Sequence, residues 1–443
     1  MVIGSMPALR SKVSRAGEVL ARTNRVMKIL WHTCLVNTDT NWLGRVLELD
    51  IEKVAHGGIV VARYEGRVVF VSHDLPGEKV RALVYEDRGG AFCRAEPQEI
   101  LTASPDRVEH VWDQAGVGGA GGAEFGHIKL SRQRELKADV IEEALQRMAG
   151  IDRRVEVEAV EGDDENNGLG YRTRIQLHVN EFGEAGPYME RSHDVVLVRD
   201  LPLAVEEIRE AGLHSKNWSS VKKLDISASN TGQLQWKVDE KIKGDERLVE
   251  RAAGRTFRIS GGGFWQVHRK AADLLAKTVL DMIDEAGFNK SANNLDLYGG
   301  VGLFASSLAS RFGNETRVTT VEAFKRATED ATLNIADMTK AKAVCAQVDR
   351  FLQDQQRAMA TGASFKDATV VLDPPRAGAG AKVVGLLLDL APAHIVYVAC
   401  DPVALARDLK ALLAGGYEIA AMRAFDLFPH THHVETVVSL VRK

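Results

Sequence analysis

The sequence predicts a multidomain α/β chain: a small OB-like β-barrel, an α+β central domain, and a C-terminal doubly wound, Rossmann-like sheet. Three observations predict it. A chain of 443 residues exceeds what one simple core organises. From Trp42 to Leu101, short alternating runs are broken by Gly-Gly, Glu-Gly and Leu-Pro-Gly turns, the texture of a closed barrel. From Gly261 onward the apolar runs "NNLDLY", "RVTTVE", "ATVVLD" and "HIVYVA" are separated by helical segments, as in a parallel sheet wound on both faces.

Taken in order, residues 1–41 carry Arg10, Lys12, Arg15, Arg22, Arg25 and Lys28 with little periodicity and read as a basic tail with no assigned role. Residues 42–101 form the barrel, whose mixed charges suit either packing or RNA contact. Residues 102–255 comprise a linker and the central domain. Its glycine-rich "DQAGVGGAGGAEFG" follows no strand and carries no Gly-Lys-Ser/Thr, so it reads as flexible connection and not as a phosphate loop. A helix is expected from Lys129 to Met148. Tyr171, Arg172 and Arg174 are placed to contact phosphates or simply to charge the surface. Residues 256–443 hold the parallel sheet, entered through an amphipathic helix in "QVHRKAADLLAKTVLDMIDEAG".

Composition excludes several classes. Hydrophobic residues make up 45% and charged residues 27%, ordinary for a globular protein. No run of about 18 apolar residues offers a membrane span, and the N-terminus lacks the zones of a secretory signal. Cys34, Cys93, Cys345 and Cys400 are widely spaced without a C-x-x-C, which argues for a reducing cytoplasm and against a disulfide framework or zinc site. The net charge of −4 does not advertise a nucleic-acid binder, although local patches decide that question.

Ligands of open α/β sheets sit at the carboxyl ends of the strands, so the residues closing each strand belong together. "LDLYGGVGLFA" supplies a glycine turn ahead of a helix, where backbone approaches a ligand closely. Glu322 ends the next strand 24 residues beyond Tyr298, suited to ribose hydroxyls, with a structural charge at a helix start as the lesser alternative. In "VVLDPPRAGAG" two prolines break the chain just after Asp373 and leave that carboxylate at the strand end. In "VYVACDPVALARDL" Pro402 suits a first helical position and Asp401 an N-cap. Cys400 then precedes a helix start, where the dipole favours a thiolate. Alone, a cysteine ending a buried strand is core filler. "FPHTHHVETVV" gathers His430, His432, His433 and Glu435. No cysteine or second acidic cluster joins them, so no metal is assigned, and Glu435 opens the final strand as a candidate general base.

These motifs resemble those of the S-adenosylmethionine-dependent RNA uracil-5-methyltransferases, which form 5-methyluridine in ribosomal or transfer RNA. "VAHGGIVVARYEGRVVFVSHDLPGE" is similar to the TRAM barrel that many members carry, and "GYRTR" to the start of their central domain. "FWQVH", "LDLYGGVG", "VVLDPPRAG", "VACDP" and "FPHTHHVET" match the family's catalytic motifs in order. The resemblance implies a class I methyltransferase domain in which Gln266, Tyr298, Glu322 and Asp373 bind S-adenosylmethionine. It makes Cys400 the nucleophile and Glu435 the base. RNA, ribosomal or transfer, is the implied partner, with no membrane, and a cytoplasmic monomer is expected.

The sequence departs from the family in three places. Relatives with the barrel often hold an iron–sulfur cluster on four cysteines before the central domain; the interval from Arg107 to Gln133 has none, so no cluster is expected. Ala399 and Asp401 replace the polar partners of a more usual Ser-Cys-Asn-Pro, and a carboxylate beside Cys400 is expected to oppose its ionisation. Leu303 stands where relatives often place a polar side chain. Three other readings compete: an RNA-binding protein keeping a catalytically altered methyltransferase fold, a Rossmann enzyme acting on a small molecule, and an RNA cytosine-5-methyltransferase. The second leaves Asp-Pro-Pro-Arg, Cys400 and the barrel without a purpose, and the third places a cysteine in Asp-x-Pro-Cys where this sequence has Arg376 after Pro375.

Overall fold

The computed structural model describes residues 41–239 and 241–443. The basic segment expected over residues 1–41 lies, through residue 40, outside the described residues. Strands β1 (Val46–Val54), β2 (Val60–Tyr64), β3 (Arg67–Val71), β4 (Lys79–Asp87) and β5 (Phe92–Thr102) close into a barrel in the order β1-β2-β3-β5-β4. Alternation drives closure: Leu47, Leu49 and Ile51 of β1 point inward against Val69, Val71 and Val80, while their neighbours face solvent.

The glycine-rich stretch after the barrel is not the flexible connection expected of it. Ala120, Ala123 and Phe125 are buried, and Phe125 N donates to the His430 carbonyl at 2.9 Å. Its glycines permit close packing, which composition alone reads as freedom. Helix α1 (Leu130–Ala144) follows and runs into a π-turn over Leu145–Ala149. Then come β6 (Val157–Glu158), β7 (Arg174–Val179), β8 (Ala185–Gly186), the short helix α2 (Glu206–Glu210), β9 (Lys223–Ala228), β10 (Leu234–Val238) and β11 (Lys241–Gly244). The central sheet has the order β11-β10-β9-β7-β8 and packs Leu177, Leu224 and Ile226 against Tyr171, Leu203 and Ile208.

A hairpin of β12 (Arg247–Ala252) and β13 (Arg255–Ser260) leads to α3 (Ala271–Asp281) and the last layer. That layer alternates β14 (Asn294–Leu297), α4 (Leu303–Phe312), β15 (Val318–Glu322), α5 (Lys325–Asn334), β16 (Ala341–Cys345) and α6 (Val348–Met359). It continues with β17 (Thr369–Leu372), α7 (Gly380–Leu390), β18 (His394–Ala399), α8 (Pro402–Ala414), β19 (Tyr417–Phe425) and β20 (Glu435–Arg442). The eight-stranded sheet has the order β16-β15-β14-β17-β18-β20-β19-β6, parallel from β16 to β18 with β20 antiparallel to both neighbours.

The division at 102–255 does not follow the cores. Ala138, Ile141 and Leu145 of the α1 region and Val157 of β6 join one core with β14, β17 and β18. Phe257 and Ile259 of the hairpin join another with α3 and α4. Helix α1 and β6 thus complete the C-terminal layer although they precede the central sheet in sequence. No helix among the described residues is long and apolar enough to cross a membrane.

Candidate active site

Strand register brings most of the expected residues to one edge. Leu297 of β14 pairs with Val321 of β15 and Leu372 of β17, so the residues just beyond, Tyr298, Glu322 and Asp373, stand side by side. Ala399 of β18 pairs with Thr436 of antiparallel β20, which sets Cys400 opposite Glu435. Gln266 is the exception. It lies in the segment between β13 and α3, half-buried, with its carbonyl 3.3 Å from Thr173 Oγ1.

The glycine turn is built around two carboxylates. Glu322 Oε2 accepts from Gly300 N at 3.1 Å, and Oε1 from Phe324 N at 2.8 Å. Asp296, inside β14 and fully buried, accepts from Ala305 N at 3.1 Å. A side chain at Gly299 would put Cβ 1.9 Å from Thr320 Oγ1 and 2.7 Å from Asp296 Oδ2, so only glycine lets the turn close on this carboxyl. Burial pushes Asp296 up to about 6. An acidic residue inside "NNLDLY" was the sequence signal for it, and sequence reasoning passed over it.

The corner after β17 is pinned from below. Asp408 of α8 accepts from Ala379 N and from Tyr397 Oη, each at 2.8 Å, and holds the loop that follows Asp373-Pro-Pro. Burial, then the charge of Asp296, raises the pKa of Asp373; burial, then Asp373, raises that of Glu435 well above the usual carboxylate range. Cys400 is pushed up to about 12 by burial first and by Glu435 and Asp373 next, with Arg376 opposing them. The helix start was expected to favour a thiolate, and here burial and two carboxyls outweigh it.

Asp401 was expected to be the antagonist of Cys400, and its carboxylate is engaged elsewhere. Oδ1 caps α8 by accepting from Ala404 N at 2.8 Å, and Oδ2 lies 2.9 Å from His56 Nε2 of the barrel. The opposing charges come from Glu435 and Asp373 instead. Two of the histidines beside Glu435 are engaged in packing contacts. His430 Nε2 meets the Asn167 carbonyl at 2.8 Å and Nδ1 meets Gln133, while His432 Nδ1 pairs with Glu124. Tyr171 is likewise no phosphate contact: it is buried, with Oη donating to the Pro429 carbonyl at 3.1 Å. The guanidinium of Arg174 is largely buried 4.0 Å from Glu250, so it is not simple surface charge.

Two spaces adjoin these elements. A small cavity of about 80 Å³ lies beside Cys400 between the barrel and the C-terminal layer. A larger one of about 900 Å³ lies in the central module, lined among others by Arg172, Arg174, His178, Tyr188, Lys237 and Phe264.

A parallel sheet with a glycine turn, an acidic residue closing the next strand and an OB-type barrel in front defines a Rossmann-like nucleoside-binding domain joined to a barrel of a kind used on nucleic acids. A family model described as tRNA (uracil-5-)-methyltransferase matches residues 249–443, and a TRAM domain model matches residues 42–96. An uncharacterized RNA methyltransferase of Streptomyces avermitilis is 41% identical over 90% of this chain and 98% of its own length. One of Bifidobacterium longum is 35% identical over 89% and 96%. The solved tRNA (uracil-54, C5)-methyltransferase of Pyrococcus abyssi, in complex with S-adenosyl-L-homocysteine, shares the fold. Its TM-score is 0.66 at 23% identity, covering 89% of this chain and 100% of that one. The chain belongs to the tRNA (uracil-5-)-methyltransferase family and is an S-adenosylmethionine-dependent RNA methyltransferase.

Proposed function

We propose that this enzyme methylates carbon 5 of a uridine in ribosomal or transfer RNA through a covalent adduct with Cys400. The observation that carries the reading is the strand register that sets Cys400 opposite Glu435 and next to the Asp373 corner. The donor set suits the cofactor: Glu322 offers a carboxylate for ribose hydroxyls, and Tyr298 and Asp373 stand beside it with Gly300 open to solvent on its Cβ side. Gln266 is proposed as a fourth contact, on the family resemblance alone.

S-adenosylmethionine supplies, when bound, an electrophilic methyl on a positively charged sulfur. Carbon 5 of uracil is too weak a nucleophile to take it unaided. The Cys400 thiolate adds to carbon 6, and the electron pair of the 5,6 double bond moves to make carbon 5 nucleophilic. Once carbon 5 carries the methyl, Glu435 as carboxylate removes the carbon 5 proton. The electron pair left behind restores the double bond and expels Cys400. Glu435 must therefore ionise within the loaded site, against the burial that holds its proton beforehand. The target base reaches this site only after leaving its stack.

The barrel and the cationic, aromatic cavity of the central module support RNA as the substrate. Cys93, Cys345 and Cys400 are all free thiols, which suits a cytoplasmic enzyme, and a monomer is the proposed state.

RNA containing 5-fluorouridine tests the mechanism, because fluorine at carbon 5 cannot leave as a cation and the adduct is trapped. The expected result is a protein–RNA species stable to denaturation that Cys400→Ala abolishes together with methyl transfer. Transfer that survives Cys400→Ala would sink the mechanism. Glu435→Gln is expected to accumulate adduct on ordinary RNA, and no accumulation under turnover would remove Glu435 from its role.

A further inference from the structure

The turn joining β1 to β2, Ala55 to Gly58, leaves the barrel and reaches the corner that carries Cys400. His56 Nε2 sits 2.9 Å from Asp401 Oδ2, a contact spanning 345 positions of sequence. The other oxygen of the same carboxylate caps α8 through Ala404 N. Asp401 is extended, and Pro402 fixes the first helical residue after it. Wherever His56 holds the Asp401 carboxylate, the peptide that follows Cys400 is held as well.

The turn is seated and not merely near. A Cβ at Gly58 would lie 2.8 Å from His432 Cβ and 3.2 Å from Phe125, and Gly58 has φ +75°, a conformation that glycine adopts freely. The small cavity between barrel and catalytic layer is lined by His56, Arg376, Cys400, Asp401, His432 and His433 among others. Among the described residues lining it, Asp401 is the one carboxylate.

We propose that His56 is a positioning residue for methyl transfer, a clamp supplied by the barrel that fixes Asp401 and through it the orientation of Cys400. The clamp rests on the reading of Cys400 as nucleophile and extends it. It gives the barrel a part in catalysis beyond holding RNA. It also gives Asp401 a purpose that an asparagine cap would serve less well, since a carboxylate can cap the helix with one oxygen and hold a charged histidine with the other.

The charged groups around the pair decide its pH range. Lys137 of α1 faces the cavity but donates to Asp426 and to the Phe428 carbonyl. Arg376, from the loop after β17, is within 3.1 Å of His433 Nε2, and His432, before β20, pairs with Glu124. The Asp401 hydrogen bond raises the pKa of His56 above 6.5 against the lowering effect of burial. Burial raises Asp401, and the His56 bond and charge together with the Ala404 and Val403 amides more than offset it, leaving the carboxylate below its usual range. A raised histidine pKa means that the charged clamp is complete below 6.5 and is lost as pH climbs through the raised value.

The test uses the full-length enzyme, S-adenosylmethionine and a 5-fluorouridine RNA, reading the adduct rate at saturating RNA separately from the RNA Kd. For a half-exposed charged hydrogen bond, His56→Ala is expected to slow adduct formation roughly 3- to 10-fold with Kd changed less than about twofold. His56→Gln keeps a donor without the charge. It should recover most of the rate and remove from the pH–rate profile the ionisation that the Asp401 contact raises above 6.5. Asp401→Asn and His56→Ala should not add, the double variant being no slower than the slower single one. An unchanged rate in His56→Ala, a loss carried entirely by Kd, or additive effects would each overturn the clamp. Cys400→Ala run alongside separates the two ideas: adduct persisting there fails the nucleophile, whereas adduct lost there with His56→Ala unaffected fails only the clamp.

Discussion

Cys400 lies where the charges of Glu435 and Asp373 both oppose a thiolate and that of Arg376 favours one, so these neighbours set when its sulfur can react. Burial and the charge of Asp296 raise the pKa of Asp373, so its negative charge falls on the thiol only once that carboxyl ionises. Asp373→Asn should therefore lower the Cys400 pKa in the ligand-free enzyme. Iodoacetamide alkylation of Cys400 between pH 7 and 9 measures it, and the rate rises roughly 3- to 4-fold for each unit the pKa falls, a tenfold gain in thiolate offset by its weaker nucleophilicity. A rate equal to that of the wild type would mean that Asp373 does not act on the sulfur. The same substitution should weaken S-adenosylmethionine binding in calorimetry, and unchanged affinity would remove Asp373 from the cofactor pocket. Little of this balance was legible from residue order. Cys400, Asp373 and Glu435 were each marked by prolines or by a strand start, but their mutual burial comes from register between strands 27 to 62 residues apart. Asp401 looked like the antagonist because it is adjacent in sequence, whereas its side chain turns to the barrel.

At the scale of elements, the parallel strands were legible because glycine and proline punctuate their ends, and β14, β15, β17 and β18 all lie within the apolar runs expected for them. The placement of α1 was not, since nothing in its own periodicity names the surface it covers. One buried ion pair explains part of it: Lys137 and Asp426 are almost completely inaccessible, and Lys137 Nζ also donates to the Phe428 carbonyl at 3.0 Å. This ties α1 to the segment that delivers His430 and Glu435. Lys137→Met should cost about 3–5 kcal/mol, because Asp426 is then buried without its partner. Calorimetric unfolding of the full-length enzyme measures the loss. Lys137→Met with Asp426→Leu should recover much of it, since two apolar side chains leave no stranded charge. If the single variant melts like wild type, the pair does not hold α1 in place.

For the whole molecule, the question is how a chain of net charge −4 holds a polyanion. The charges are distributed unevenly. The central module places Arg172, Arg174 and Lys237 around its cavity, and adds the His178–Tyr188 stack with ring centroids 3.4 Å apart and Phe264 two-thirds exposed. Cations beside open aromatic faces suit an unstacked nucleotide, the former for phosphate and the latter for the base. Arg172 is a fair probe of this surface. Its backbone is fixed by bridges to Ala204 and His268, while among the described residues the one hydrogen bond of its guanidinium, to the Arg174 carbonyl, is long at 3.3 Å. Each phosphate contact removed should flatten the dependence of log affinity on log salt by about one. Arg172→Ala is thus expected to weaken RNA binding at low salt, to lower the slope by about that amount, and to leave the adduct rate at saturating RNA unchanged. The opposite split, with Kd intact and the rate reduced, is expected of His56, so the two variants separate the surface proposed to hold RNA from the one proposed to set Cys400. Filter binding from 50 to 300 mM salt makes the comparison, and a slope equal to that of the wild type would show that RNA does not reach this cavity through Arg172.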